Sequence, residues 1–176
     1  MSASPEIRQR PVGATLGLCF AGLWSVLGAL ALQNGLRGAA MAAGLVISAY
    51  LILRLWRSRA QANEGTAMFR RRAYAVAVVL EIAALYAVAL LLPRYGLRAW
   101  MIPAVGVVVG LHFIGLWKAS GHARFLWIAG CMTAVSVLSL ALPPTPLLFA
   151  ANARDAVCGY GNALVLWLFA GQQMGT

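Results

Sequence analysis

The chain has 176 residues, of which 62% are hydrophobic and 10% charged, against about 45–50% and about 25% in a soluble globular domain. A core of this size cannot hide that excess, because a domain of this length still turns much of its surface to its solvent, and the solvent that tolerates such a surface is lipid. The net charge is +10, from 14 Lys+Arg against 4 Asp+Glu, but the basic residues sit between apolar runs rather than on one polar face, which argues for topology signals and headgroup contacts and against nucleic acid.

A membrane-crossing helix needs about 20 mostly apolar residues, and six runs qualify: 12–32, 38–56, 73–92, 99–117, 125–142 and 147–170. Their length and continuity, without two-residue alternation, predict helices and not barrel strands. A helix also pairs its backbone polar groups within one segment, as hydrocarbon demands. The expected fold is therefore all-α, a single polytopic helical bundle with six spans.

The first run follows Arg8 and Arg10 and ends in Ala29-Leu30-Ala31, which resembles a cleavable signal. It is longer than a signal core and a second span follows at once, so it is expected to be retained. Its row Gly13, Gly17, Ala21 and Ser25 repeats every four residues, a spacing that lets helix backbones approach closely, so the row should face other helices. Asn34-Gly35 breaks the chain before the second run. The polar loop from Arg57 to Arg72, with Asn63-Glu64-Gly65, is the long connection before the third.

The third run places Glu81 about 12 Å from its start, near mid-depth. An ionised carboxylate there needs a cation, water or a proton, so Glu81 is a candidate proton or cation site; the alternative is a structural carboxylate that locks helices together. Pro93 and Gly96 break the chain next. The fourth run carries Pro103 in its first turn, where the missing N–H costs little, then Gly106, Gly110 and His112. His112 can relay a proton, bind a metal or donate a hydrogen bond. Trp56, Trp100 and Trp117 mark predicted span ends, as interfacial aromatic belts do.

The sixth run, after Pro143, Pro144 and Pro146, holds Asn152, Arg154, Asp155, Tyr160 and Asn162. Adjacent Arg154 and Asp155 point about 100° apart on a helix and should seek separate partners. Arg154, Asp155 and Arg98 form the expected outer charge cluster, with Arg94 a second mate for Asp155. Asn162 matches Glu81 in depth, so Glu81, His112 and Asn162 form the candidate intramembrane polar site. Gly159-Tyr160-Gly161 has two readings: an interrupted helix that exposes backbone to a ligand, or glycines that admit a bulky neighbour. Residues 150–155 forming a surface loop is a further alternative, which would shorten the last span.

The loops fix orientation. Arg8, Arg10, Arg54, Arg57, Arg59, Arg70, Arg71, Arg72, Lys118 and Arg124 fall on one side of six spans, and Arg37, Arg94, Arg98 and Arg154 on the other. The positive-inside rule then places both termini in the cytoplasm. Cys19, Cys131 and Cys158 lie inside apolar runs with no metal-ligand spacing, and His112 and His122 do not suit a bis-histidine haem. No cofactor or metal is expected. No catalytic motif is present, so an enzyme is not the favoured reading.

Val109-Gly110-Leu111-His112-Phe113, the basic loop and Phe125-led span after it, and Gly161-Asn162-Ala163-Leu164-Val165-Leu166-Trp167 together resemble a group of small bacterial multi-pass inner-membrane proteins. The resemblance covers the C-terminal half. It implies a helical bundle in a bacterial inner membrane and carries no catalytic residue across. Two functions follow as expectations: a proton-linked transporter or channel-like protein built on Glu81, or a non-catalytic scaffold or accessory subunit. Expected partners are the lipid bilayer, other membrane proteins or a second copy of the chain, and not nucleic acid.

Overall fold

The computed structural model describes residues 12–57, 72–147 and 149–172. Arg8, Arg10, Arg59, Arg70, Arg71 and the Asn63-Glu64-Gly65 segment lie outside them. The described residues form an all-α bundle: α1 Val12–Leu30, α2 Asn34–Arg57, α3 Arg72–Arg94, a 3-10 turn Arg98–Trp100, α4 Met101–Ser120, α5 Arg124–Ser139 and α6 Ala153–Gln172. Among the described residues, α1 to α3 and the Arg98–Ser120 stretch that includes α4 are long and apolar enough to cross a membrane. These apolar helices make the chain a membrane protein.

Several boundaries differ from expectation. α1 ends at Leu30, and α2 begins at Asn34, four residues before the expected start, so Asn34-Gly35 opens the helix and does not break the chain ahead of it. α4 runs on to Ser120, past the expected end at Trp117, and stops where Gly121 turns left-handed at φ 80°. Three further shifts have a local reason. α3 runs through Pro93 into Arg94. It stops where Gly96 turns left-handed at φ 73°, with the Leu97 N–H bonded to the Leu92 carbonyl at 2.7 Å. α5 ends at Ser139, ahead of Pro143 and Pro144, and its 16 residues span about 24 Å. α6 begins at Ala153, because residues 147–152 are used to knit two connections together. There the Ala31 carbonyl accepts from the Ala151 and Asn152 N–H groups at 2.8 and 3.0 Å, and Gln33 N–H donates to the Phe149 carbonyl at 3.1 Å.

In space the helices run α2, α1, α6, α5, α4, α3, with consecutive members packed side by side and α6 also touching α4 and α2. The last helix in the sequence is thus the central one. Its Ala156, Cys158, Gly159, Asn162, Ala163, Leu166 and Ala170 are all buried. Trp24 of α1, Ile128 and Met132 of α5, and Cys158, Ala163 and Leu166 of α6 form the main core.

Because lipid supplies no hydrophobic drive between helices, close backbone approach decides the seams. Gly159 of α6 lies against the backbone of Gly28 and Trp24 of α1, and Gly161 against Val135 of α5. The two glycines therefore admit neighbours, and α6 is continuous across them. Ser25 sits in the space left by Gly44 of α2, and Ser48 opposes Gly22. The row expected on α1 is only half used: Ala21 and Ser25 are fully buried, while a Cβ at Gly13 or Gly17 would meet nothing within 4 Å. Gly106 and Gly110 face α5, against Ser136 and Thr133.

Trp167 donates from Nε1 to Ser48 Oγ at 2.9 Å, tying α6 to α2. Trp56 donates to Thr15 Oγ1 at 3.1 Å. Trp24 is a core side chain and Trp127 is 69% exposed. At the other edge of the bundle, α3 packs against α4 and touches the 3-10 turn. Val79, Leu80, Ile82 and Tyr86 on α3 each exceed 60% exposure, which is the surface of a helix that meets lipid tails along most of its circumference.

Candidate functional site

The structure divides the three expected intramembrane polar residues between two seams. Glu81 and His112 meet at the α3–α4 seam. Asn162 lies at the junction of α4, α5 and α6.

At the α3–α4 seam the approach is set by Ala77 and Gly115. A Cβ at Gly115 would collide with that of Ala77, so the glycine is what lets α3 come close enough for side chains one turn further on to pair. His112 Nδ1 stands 3.3 Å from Glu81 Oε2 and 3.3 Å from the Ala77 carbonyl oxygen. A carbonyl oxygen cannot donate, so Nδ1 carries the proton and shares it between that carbonyl and the carboxylate. Both side chains are mostly covered, at 11% and 19% exposure. Phe113 packs edge-on to the imidazole, with centroids 6.1 Å apart. Glu81 lies nine residues into α3, about 13 Å along its axis.

At the α4–α5–α6 junction Asn162 is fully buried. Its Nδ2 donates to Ser136 Oγ at 3.1 Å and lies 3.5 Å from Cys158 Sγ. The Cys158 thiol also reaches Ser136 Oγ at 3.7 Å and the Ile102 carbonyl at 3.8 Å. Ser139 Oγ donates back to the Ser136 carbonyl at 2.7 Å. This cluster holds three helices together and is level with Gly106, about six residues or ~9 Å along α4 from His112. The serines were not singled out from the sequence, although their three-residue spacing on α5 was a readable sign of one polar face.

The outer charges also separate. The Arg154 guanidinium is buried and donates to three carbonyls: Leu142 at 3.0 Å, Ala99 at 3.3 Å and Leu140 at 3.4 Å. It also lies over the Trp100 ring, 5.7 Å from its centroid. It therefore satisfies the exposed carbonyl end of α5 and pins the 3-10 turn, as a cation at a helix C-terminus does. Asp155 joins neither Arg94 nor Arg98 in an ion pair. Its Oδ2 accepts from Asn152 Nδ2 at 2.8 Å, while its own N–H donates to Asn152 Oδ1 at 3.2 Å. That reciprocal pair is an N-terminal cap, with Asn152 before the first turn of α6. Arg98 stays on the exposed turn.

Among the described residues no group of three or more His, Cys, Asp or Glu could hold a metal ion. The chemistry the arrangement can perform is proton exchange at Glu81 and His112. Comparison with protein-family models, with curated proteins and with solved structures yields no match.

Proposed function

We propose that the chain is a small multi-pass inner-membrane protein that moves protons, or couples a solute to them, through the Glu81–His112 pair. The observation that carries this reading is the 3.3 Å contact between the carboxylate and the imidazole, on two otherwise apolar helices. Intramembrane ionisable groups are costly and persist where they carry protons or ions. In this reading the Ala77 carbonyl orients the imidazole ring, and the Glu81 carboxylate and the His112 ring are the two groups that hand a proton on. The excess of Arg and Lys at the loops after α2 and α4 supports cytoplasmic termini. The resemblance in the C-terminal half supports a bacterial inner membrane.

The test is proton entry into vesicles reconstituted with the full chain, followed with an internal pH dye under an imposed potential. Glu81→Gln is expected to abolish a proton-linked flux while circular dichroism and thermal unfolding stay near those of the parent. Unchanged flux in a folded Glu81→Gln protein removes the proton-coupled reading.

A second reading, a non-catalytic scaffold or accessory subunit, draws on a different observation. Among the described residues nothing comes within 4 Å of where a Cβ would stand at Gly13 or Gly17, although Thr15 between them bonds to Trp56, and that glycine face is suited to another membrane helix. Under that reading the Glu81→Gln change alters helix packing and no flux exists to lose.

A further inference from the structure

The α3–α4 connection carries a charge arrangement that neither the proton pair nor the core uses. Arg94 closes α3, Tyr95 and Gly96 turn the chain, and Arg98 opens the 3-10 turn that ends at Trp100. Arg94 and Arg98 are both exposed. Neither makes an ion pair or side-chain hydrogen bond with a described residue, and the acid nearest in kind, Asp155, is already taken by Asn152. Two aromatic side chains flank them, Tyr95 at 72% and Trp100 at 44% exposure, with Leu97 at 40% between. The ledge is tied to the bundle at two points. Leu97 is bonded back to Leu92, and Arg154 grips the Ala99 carbonyl from below while its guanidinium covers one face of Trp100.

This end of the bundle also holds Arg37, which donates to the Leu32 carbonyl, and the buried Arg154. Its described residues thus carry four arginines and one acid, Asp155. Exposed cations at the ends of membrane-crossing helices lie at headgroup depth, where the available counter-charge is phosphate. Tyrosine and tryptophan at the same depth hold such a ledge at the interface. An arginine fork suits phosphate oxygens better than an ammonium does.

We propose that Arg94 and Arg98, framed by Tyr95 and Trp100, form a binding site for the phosphodiester headgroup of an anionic phospholipid. The occupant is a lipid and not a free anion, because the aromatic and leucine side chains between the two arginines are placed to meet glycerol and upper acyl carbons. Each interfacial basic residue contributes on the order of a fivefold gain in affinity for an anionic surface, so loss of both predicts a drop of about tenfold or more.

The experiment uses the full chain purified in mild detergent and titrated with phosphatidylglycerol or phosphatidylcholine of the same acyl chains, with retained lipid counted by native mass spectrometry. The parent is expected to keep phosphatidylglycerol in preference to phosphatidylcholine. R94Q/R98Q is expected to lose that retention about tenfold, and R94K/R98K to keep part of it. Both sites are exposed, so the variants should unfold thermally with the parent, and R54Q/R57Q at the opposite end serves as the control with two charges removed elsewhere. Equal retention by R94Q/R98Q and parent overturns the proposal. So does equal retention of the two lipids, or displacement of the lipid by millimolar inorganic phosphate.

Discussion

Replacing Gly159 by alanine is the sharpest test of how this bundle is held together. A Cβ at position 159 would stand 2.5 Å from the Gly28 Cα and 2.9 Å from the Trp24 carbonyl oxygen. Non-bonded carbons settle at about 3.5–4.0 Å, so α1 and α6 would have to part by about 1–1.5 Å. Both obstacles are backbone, so no rotamer change relieves them. Overpacking of this kind costs about 1–3 kcal/mol, and the gain from alanine's better helix propensity offsets at most about 1 kcal/mol. A net loss of about 1–2 kcal/mol is expected. Gly17→Ala is the internal comparison, because a Cβ there meets nothing within 4 Å and only the propensity gain applies. Unfolding of the purified protein in mixed micelles, titrated with a denaturing detergent and followed by circular dichroism, measures both. If Gly159→Ala proves as stable as Gly17→Ala, the two helices do not meet at Gly28 and Gly159, and the central placement of α6 falls with that contact.

Gly106→Ala should destabilise the α4–α5 seam by about 1–3 kcal/mol, and Ser136→Ala in the same chain should recover part of the loss by removing the Oγ that the new methyl strikes. Arg154→Met keeps the length of the side chain but strips the donors from the carbonyls of Leu142, Ala99 and Leu140. It should cost about 3 kcal/mol, with Arg154→Lys recovering less than half, since one ammonium cannot span three acceptors; equilibrium unfolding reads both. A double-mutant cycle on Trp167→Phe and Ser48→Ala should return a coupling of about 0.6–1 kcal/mol, in the range measured for hydrogen bonds between membrane helices. A coupling near zero would mean that α2 is not held to α6 by that bond.

The helices themselves were legible in the sequence because a continuous apolar run reports its solvent without reference to its neighbours. Two of the turns were legible for a related reason: Gly96 and the prolines after α5 act on their own backbone. Neighbour relations were not legible. Depth along a span put Glu81, His112 and Asn162 in one layer, but depth says nothing about azimuth, and Asn162 faces Ser136 while Glu81 faces His112. The Gly106 and Gly110 row did mark a packed face, against α5, but the row on α1 misled in the same way. A four-residue spacing marks one face of α1, yet Gly22 and Gly28, outside that row, are the glycines that α2 and α6 approach. Arg154 and Asp155 were readable as having separate partners. That those partners would be backbone carbonyls and a capping asparagine depended on where α5 ends, which the apolar run through Leu142 concealed.

The position of α6 between α1 and α5 has a consequence for biogenesis. A ribosome delivers this segment after the other five, so before it arrives α1 holds only its hairpin mate and α5 only its own. A helical pair, α1 with α2, and a group of three, α3 to α5, would wait in the bilayer with Trp24, Ile128 and Met132 lacking their shared counterpart. Arrival of the closing segment completes the assembly in a single late step, and chains stalled before residue 153 would present that unmet seam to the insertion machinery and to quality-control proteases.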